Sequence, residues 1–117
     1  MAKAKVPYIP DHKEVLDRIL LVVPGVAAGK MFGFPAYFIG KKLFACVYGV
    51  GVGVKLATEL AEELLTRHDV IPFQPYGKPR MKNWVQINRS HSEDYADDAS
   101  VFRTSVDYVS QLTKKGK

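Results

Sequence analysis

The chain has 117 residues, of which 47% are hydrophobic and 25% charged, and its formal net charge is +5. This length and composition are those of an ordinary globular domain with one core, and they exclude a disordered or fibrous protein. The longest apolar stretch, 15–28, is broken by charged residues and a Pro-Gly pair, so it predicts no membrane span. No signal-peptide pattern follows the N-terminal lysines. We expect a single cytoplasmic domain over 1–117, with no membrane partner and with flexible ends at 1–10 and 114–117.

The first half of the chain predicts a helix and then four strands. Asp11 and Glu14 have the spacing of a capping box, and apolar residues recur behind them at helical spacing as far as Pro24. From 26 to 56, short apolar and aromatic runs alternate with turn signals, which predicts a meander of about four antiparallel strands. Glycine and valine alternate over 49–54, so the valines should face the core and the glycines the opposite side.

Cys46 is the only cysteine of the chain, and it lies in the apolar run 43–48. A single cysteine excludes an internal disulfide and a zinc site built from several thiolates. Free cysteine in such a run is usually a small buried hydrophobe. We expect Cys46 to be buried and slow toward thiol reagents.

The second half predicts a helix, two strands and a last helix. The second helix begins near 57 and stops by 69, and the proline-rich stretch 70–87 indicates an irregular edge strand, a loop and a final strand. Ser90 and Glu93 form a second capping box, which predicts a third helix running to about Leu112. The expected fold class is α+β, an antiparallel sheet of about five to six strands packed by three helices in the order α-ββββ-α-ββ-α. The expected core contains Leu16, Ile19, Leu20, Phe44, Val54, Leu64, Phe102, Val106 and Val109.

Acidic and basic residues are segregated along the chain. All twelve Asp and Glu residues lie within 11–17, 59–69 and 93–107, and none lies within 24–56 or 70–92. Helices on one face of a sheet leave its other face or its loops exposed, so we expect an acidic helical side and a basic sheet side. Basic charge next to aromatic residues is typical of proteins that follow a nucleic-acid backbone. A merely solvated surface gives the same pattern.

The acid-free stretches supply the candidate binding residues. Over 76–84, basic and aromatic residues occupy every second position, so they would share one face if the backbone were extended. Trp84 is either a base-stacking residue or part of the core. The candidate nucleic-acid-binding residues, for DNA or RNA, are Lys30, Lys41, Lys42, Lys55, Tyr76, Lys78, Arg80, Lys82 and Trp84.

No pattern in the sequence predicts catalysis. His12, His68 and His91 lie singly near predicted helix ends and are interpreted as surface or capping residues. No serine has the glycine pattern of a nucleophile elbow, and the Gly-Val repeat does not match a phosphate-binding loop. We therefore expect a non-enzymatic protein with no catalytic residues, no metal and no cofactor.

Five short runs together have the pattern of a known family. They are PGV at 24–26, GKMFG at 29–33, YFIGKKLFA at 37–45, VKL at 54–56 and MKNWV at 81–85. They resemble the TfoX N-terminal domain and the related YjbR (MmcQ) family. The resemblance implies an α+β fold with an antiparallel sheet packed by helices, and a role in binding or regulation. TfoX proteins are linked to competence regulation, and a DNA-binding surface has been suggested for YjbR-like folds.

Two hypotheses of different class follow from these patterns. The first is a nucleic-acid-binding module that uses the basic sheet side. The second is a protein-interaction or adaptor domain, or a homodimer, whose partner surface is the Gly-Val strand with its aromatic neighbours. An enzyme acting on a small ligand is a third alternative.

Overall fold

A computed structural model describes residues 8–77, 79 and 81–115. They form an α+β fold of three α-helices and one six-stranded antiparallel sheet in the predicted order α-ββββ-α-ββ-α. Among these residues no helix has the length and apolar character needed to cross a bilayer. The helices are α1 (Pro10–Leu20), α2 (Thr58–Leu64) and α3 (Ala99–Lys115), and 3₁₀ turns span Pro75–Gly77 and Ser92–Asp98. The strands are β1 (Val26–Met31), β2 (Phe34–Ile39), β3 (Lys42–Tyr48), β4 (Gly51–Lys55), β5 (Val70–Pro72) and β6 (Trp84–Ile87).

The strands lie in the order β1-β2-β3-β4-β6-β5, and every neighbouring pair is antiparallel. The first four form the predicted meander. The chain then passes through α2, forms the short edge strand β5 and returns as β6 between β4 and β5. The predicted irregular edge strand and final strand are thereby confirmed.

Neither predicted capping box forms. α1 begins at Pro10, one residue before Asp11, and the residue in front of it makes no side-chain cap. Proline suits the first helical position because its missing N–H would be unpaired there anyway. The second predicted box, at 90–93, falls at the start of the 3₁₀ turn Ser92–Asp98, which also lacks a side-chain cap. The helix α3 itself starts only at Ala99. The capping-box spacing therefore predicted both helical segments but not how they begin.

The helices cover one face of the sheet and enclose the main core there. Of the nine residues predicted for the core, eight are buried in this cluster and Ile19 is partly buried against it. A β-bulge helps to fill it: Tyr37 pairs with Ala45 and Phe38 with Leu43, so Phe44 is an extra residue in β3. Both Phe44 and Ala45 therefore face the helices and are fully buried.

The opposite face of the sheet, which we call the open face, carries a second and smaller apolar cluster. Ala36, Cys46 and Phe73 are buried in it. The ring of Phe73 lies on Gly53, where an added Cβ would come within 2.9 Å of the ring. The alternation predicted for β4 is confirmed for Val52 and Gly53, which face opposite sides. It fails at Val50, which lies in the turn before the strand and is 61% exposed.

Cys46 is expected to react slowly with thiol reagents in the native protein. Its side chain is 0% exposed, and burial raises the pKa of the thiol to about 12, so almost no thiolate forms near neutral pH. Labelling with a small chromogenic disulfide should be much slower than in the urea-unfolded chain. Equal rates in the two states would contradict this burial.

Candidate nucleic-acid interface

Four of the candidate lysines meet at one end of the sheet, which we call the lysine end. Lys41 lies in the β2–β3 turn and Lys42 opens β3, while Lys55 closes β4 and Lys82 lies in the turn before β6. Since β3, β4 and β6 are successively antiparallel, the start of β3, the end of β4 and the start of β6 fall at the same end. Lys41, Lys42 and Lys82 are exposed and Lys55 is half-buried. Within the described part of the chain none of the four forms an ion pair.

These lysines share an end of the sheet rather than a face. Lys42 pairs with Ile39, which packs against the main core, so Lys42 is directed to the helix side. Lys55 pairs with Trp84, which packs in the smaller cluster, so Lys55 is directed to the open face. The expected basic sheet side is therefore wrong in detail. The basic surface is the rim where strands and turns end.

Trp84 belongs partly to the smaller apolar cluster, and its base-stacking role stays a prediction. It is half-buried, and its ring packs at a centroid distance of 5.4 Å and an interplanar angle of 33° against Phe73. Part of the indole nevertheless stays exposed beside Lys55. A series of ring contacts continues from Phe73. The centroid distances are 5.6 Å from Phe73 to Tyr48, 4.9 Å from Tyr48 to Phe34 and 6.3 Å from Phe34 to Tyr8.

Lys30, another candidate, is not brought to the lysine end. Lys30 lies near the β1–β2 turn, at the opposite end of the sheet. The alternating stretch 76–84 is not one extended strand, because Pro75–Gly77 forms a 3₁₀ turn and β6 begins only at Trp84. The condition for the shared face, an extended backbone over 76–84, is therefore not met. Lys78, Arg80 and the side chain of Tyr76 lie outside the described residues.

Arg89, a cation of the acid-free stretch 70–92, is engaged in a buried ion network. It donates to both carboxylate oxygens of Asp98, at 3.0 and 2.9 Å, and Asp98 is 2% exposed. Arg67 donates to Asp69 at 2.9 and 2.8 Å and reaches Asp98 at 3.4 Å. The hydrogen bonds from Arg67 lower the pKa of Asp69. With two cations and two carboxylates, the network is neutral and ties α2 and β5 to the second 3₁₀ turn.

His12 is buried, contrary to the surface position expected from the sequence. It is 1% exposed, and burial lowers its pKa, so the imidazole is neutral. Nε2 lies 3.2 Å from the carbonyl oxygen of Val50 and must carry the proton, so Nδ1 accepts the hydroxyl of Ser92 at 2.6 Å. The ring also packs edge-on against Tyr95 at 4.8 Å. The imidazole thus joins α1, the β3–β4 turn and the second 3₁₀ turn.

A cleft of about 470 Å³ opens beside His12 between α1 and the second 3₁₀ turn. Its rim holds the exposed Arg18–Glu93 ion pair at 3.0 Å. In the part of the chain that the structure describes, no three His, Cys, Asp or Glu side chains are grouped to hold a metal ion. Comparison of the chain with protein-family models, curated proteins and solved structures gave no match. The assignment of a function therefore rests on the contacts and charges of the chain itself.

Proposed function

We propose that this domain is a non-enzymatic binding module that contacts the phosphates of DNA or RNA through the lysine end of its sheet. The observation that carries the proposal is a group of four lysines, none of them ion-paired to any residue that the structure describes, beside the half-exposed Trp84. No acidic residue occurs in the strands and turns that hold them. Cations in such a group gain most from phosphates, because each neutralised phosphate releases condensed counterions.

Four carboxylates of the helical side are engaged in ion pairs away from the lysine end. Asp17 pairs with Lys13 at 2.7 Å, Glu93 pairs with Arg18, and Asp69 and Asp98 belong to the buried network. A surface that only confers solubility usually mixes both signs of charge. The lysine end has one sign, and like charges there repel one another until an anion binds.

The resemblance to the TfoX N-terminal domain and the YjbR family implies the same class of role, binding or regulation. A regulatory DNA-binding protein is the form of the proposal that agrees with both the charges and this resemblance. The adaptor alternative has less support, because β4 is hydrogen-bonded on both sides and buried over Gly51–Val54. The glycine face that a partner would approach is occupied by Phe73.

Binding should be strongly salt-dependent and should depend on the lysine end. A protein that neutralises about four phosphates loses on the order of fifty- to a hundredfold in affinity between about 50 and 200 mM salt. Replacing Lys42 and Lys82 together by alanine should lower the slope of log K against log salt by about 1.4 with single strands or 1.8 with duplex, from 0.7 or 0.9 per contact. Fluorescence anisotropy with mixed-sequence DNA at several salt concentrations measures this slope.

The matched control removes two exposed cations from the helical side, Arg18 and Arg103. It changes the net charge by the same amount, so it should leave the slope nearly unaltered. Thermal stability should hardly change in either double variant, because exposed charges contribute little to folding. Equal slopes in the two variants would place the phosphates elsewhere. No binding at low salt would reject the proposed function.

A further inference from the structure

An apolar groove of about 220 Å³ crosses the open face next to the lysine end. Its lining includes Phe73 and Met81 from the chain between β5 and β6, and Trp84 of β6. It also includes Met31 and Phe32 at the β1–β2 turn and Leu43 of β3. Its apolar lining includes Phe32, 73% exposed, and Met81, 37% exposed, so large hydrophobic side chains face solvent at its rim.

Phe32 has a left-handed backbone conformation that bulky residues rarely adopt. Its φ is 53° and that of Gly33 is 88°, as in the type I′ turns that join two-residue hairpins. Asparagine followed by glycine is the preferred pair there, and a bulky residue at positive φ is uncommon. The turn itself does not require an aromatic residue there, so the exposed ring at the rim of a groove is a candidate for contact with a ligand.

The charge around the groove limits what can occupy it. Three lysines lie next to lining residues. Lys42 precedes Leu43 in the chain and Lys82 follows Met81, while Lys55 pairs across the sheet with Trp84. No lining residue is acidic. An occupant with a flat apolar part and an anionic part matches this arrangement.

We infer that the groove receives an unpaired base of single-stranded nucleic acid, which contacts both Trp84 and Phe32, while the flanking phosphates lie on the lysine end. This inference rests on the proposed function and makes it more specific. Bases in a duplex are stacked on each other and cannot enter a groove, whereas a single strand presents each base with its two faces. The lining residues offer apolar and aromatic surface rather than a pattern of hydrogen-bonding groups, so preference among sequences is weak.

The test uses Phe32→Asn, which removes the aromatic ring and installs the pair that the turn prefers. Asparagine suits this turn position, so the variant should remain folded, and its melting temperature is measured beside its affinity to separate loss of binding from unfolding. Affinity for a short oligothymidylate at constant salt should fall on the order of tenfold, since stacking on an aromatic side chain contributes at that scale. The salt slope should stay the same, because no charge is changed. Affinity for the same strand paired with oligoadenylate should be weaker in the parent and unaffected by the substitution.

A second readout comes from the protein itself. Trp84 is the only tryptophan, so its fluorescence reports on the groove alone. Oligothymidylate should quench it, and an abasic strand of the same length should bind through phosphates without quenching. Duplex binding as tight as single-strand binding, or full affinity in Phe32→Asn, would overturn the inference and leave the proposed function standing. Self-association that Phe32→Asn abolishes, with no quenching by the oligonucleotide, would overturn it in favour of a second copy of the chain. Absence of salt-dependent binding to every probe would instead reject the proposed function.

Discussion

Replacing Phe102 by alanine is expected to lower the free energy of unfolding by about 3 to 5 kcal/mol. Phe102 lies on α3 and is 0% exposed within the main core, where it packs between the helix and the sheet. Truncation removes most of the ring and leaves a cavity that the sheet, held by five strand pairings, cannot collapse to fill. Because domains of this size have only about 5 to 15 kcal/mol of stability, the variant should be close to unfolding at physiological temperature.

Urea denaturation followed by Trp84 fluorescence and by far-UV circular dichroism measures this loss. The control is Arg103→Ala, which changes the adjacent and exposed residue of the same helix. It should stay within about 0.5 kcal/mol of the parent. A loss below about 1 kcal/mol for Phe102→Ala would mean that α3 does not pack on the sheet as described.

Removing the carboxylate of Asp98 is the second large effect, with an expected loss of about 3 kcal/mol in Asp98→Ala. Asp98 is 2% exposed and receives hydrogen bonds from Arg89 and Arg67. Without it two guanidinium groups are left around a single remaining carboxylate, that of Asp69. The loss lies at the low end for a buried pair because the side chain of Arg89 keeps 21% exposure and can recover some hydration.

The comparison that isolates burial is Glu93→Gln, which breaks the exposed ion pair with Arg18. Its unfolding midpoint should match that of the parent, since exposed pairs are screened by water and salt. If Asp98→Ala and Glu93→Gln behaved alike, the network would be a surface feature and its four members would be solvated. Raising the salt concentration should change neither result, because the Asp98 pairs are shielded from the solvent.

Much of the fold follows from local patterns. The predicted turn residues Gly40 and Gly49 mark two of the three hairpin connections of the meander, and both have a positive φ. The first turn was expected at Phe34-Pro35, but that pair lies in β2 and the turn is formed by Phe32 and Gly33. The stripe through Phe102, Val106 and Val109 fixes the buried side of α3. Such features were predictable because the residues that produce them are neighbours in sequence.

Contacts between distant residues were not predictable in the same way. His12 is anchored by Ser92, 80 positions away, and no local pattern distinguishes that histidine from a surface one. The Phe73 ring over Gly53 explains why the Gly-Val strand needs glycine, yet its sequence indicates only that something comes close. The segregation of charge along the chain also placed the lysines on one side of the sheet, because it does not show which strand ends lie together once the strands are ordered.

Lys30 has a different significance from the other lysines because of its strand. Among the residues that the structure describes, β1 pairs with β2 alone, and its residues 27–30 are small or charged and exposed. An open strand of this kind is a template on which a second chain could extend the sheet, and a lysine placed there opposes that by bringing a charge against the incoming backbone. The other edge strand, β5, is protected because it has only three residues. It ends at Pro72, which has no backbone N–H to donate to another strand. Lys30 on β1 and the short, proline-ended β5 therefore protect the two edges of the sheet from pairing with other chains and aggregating.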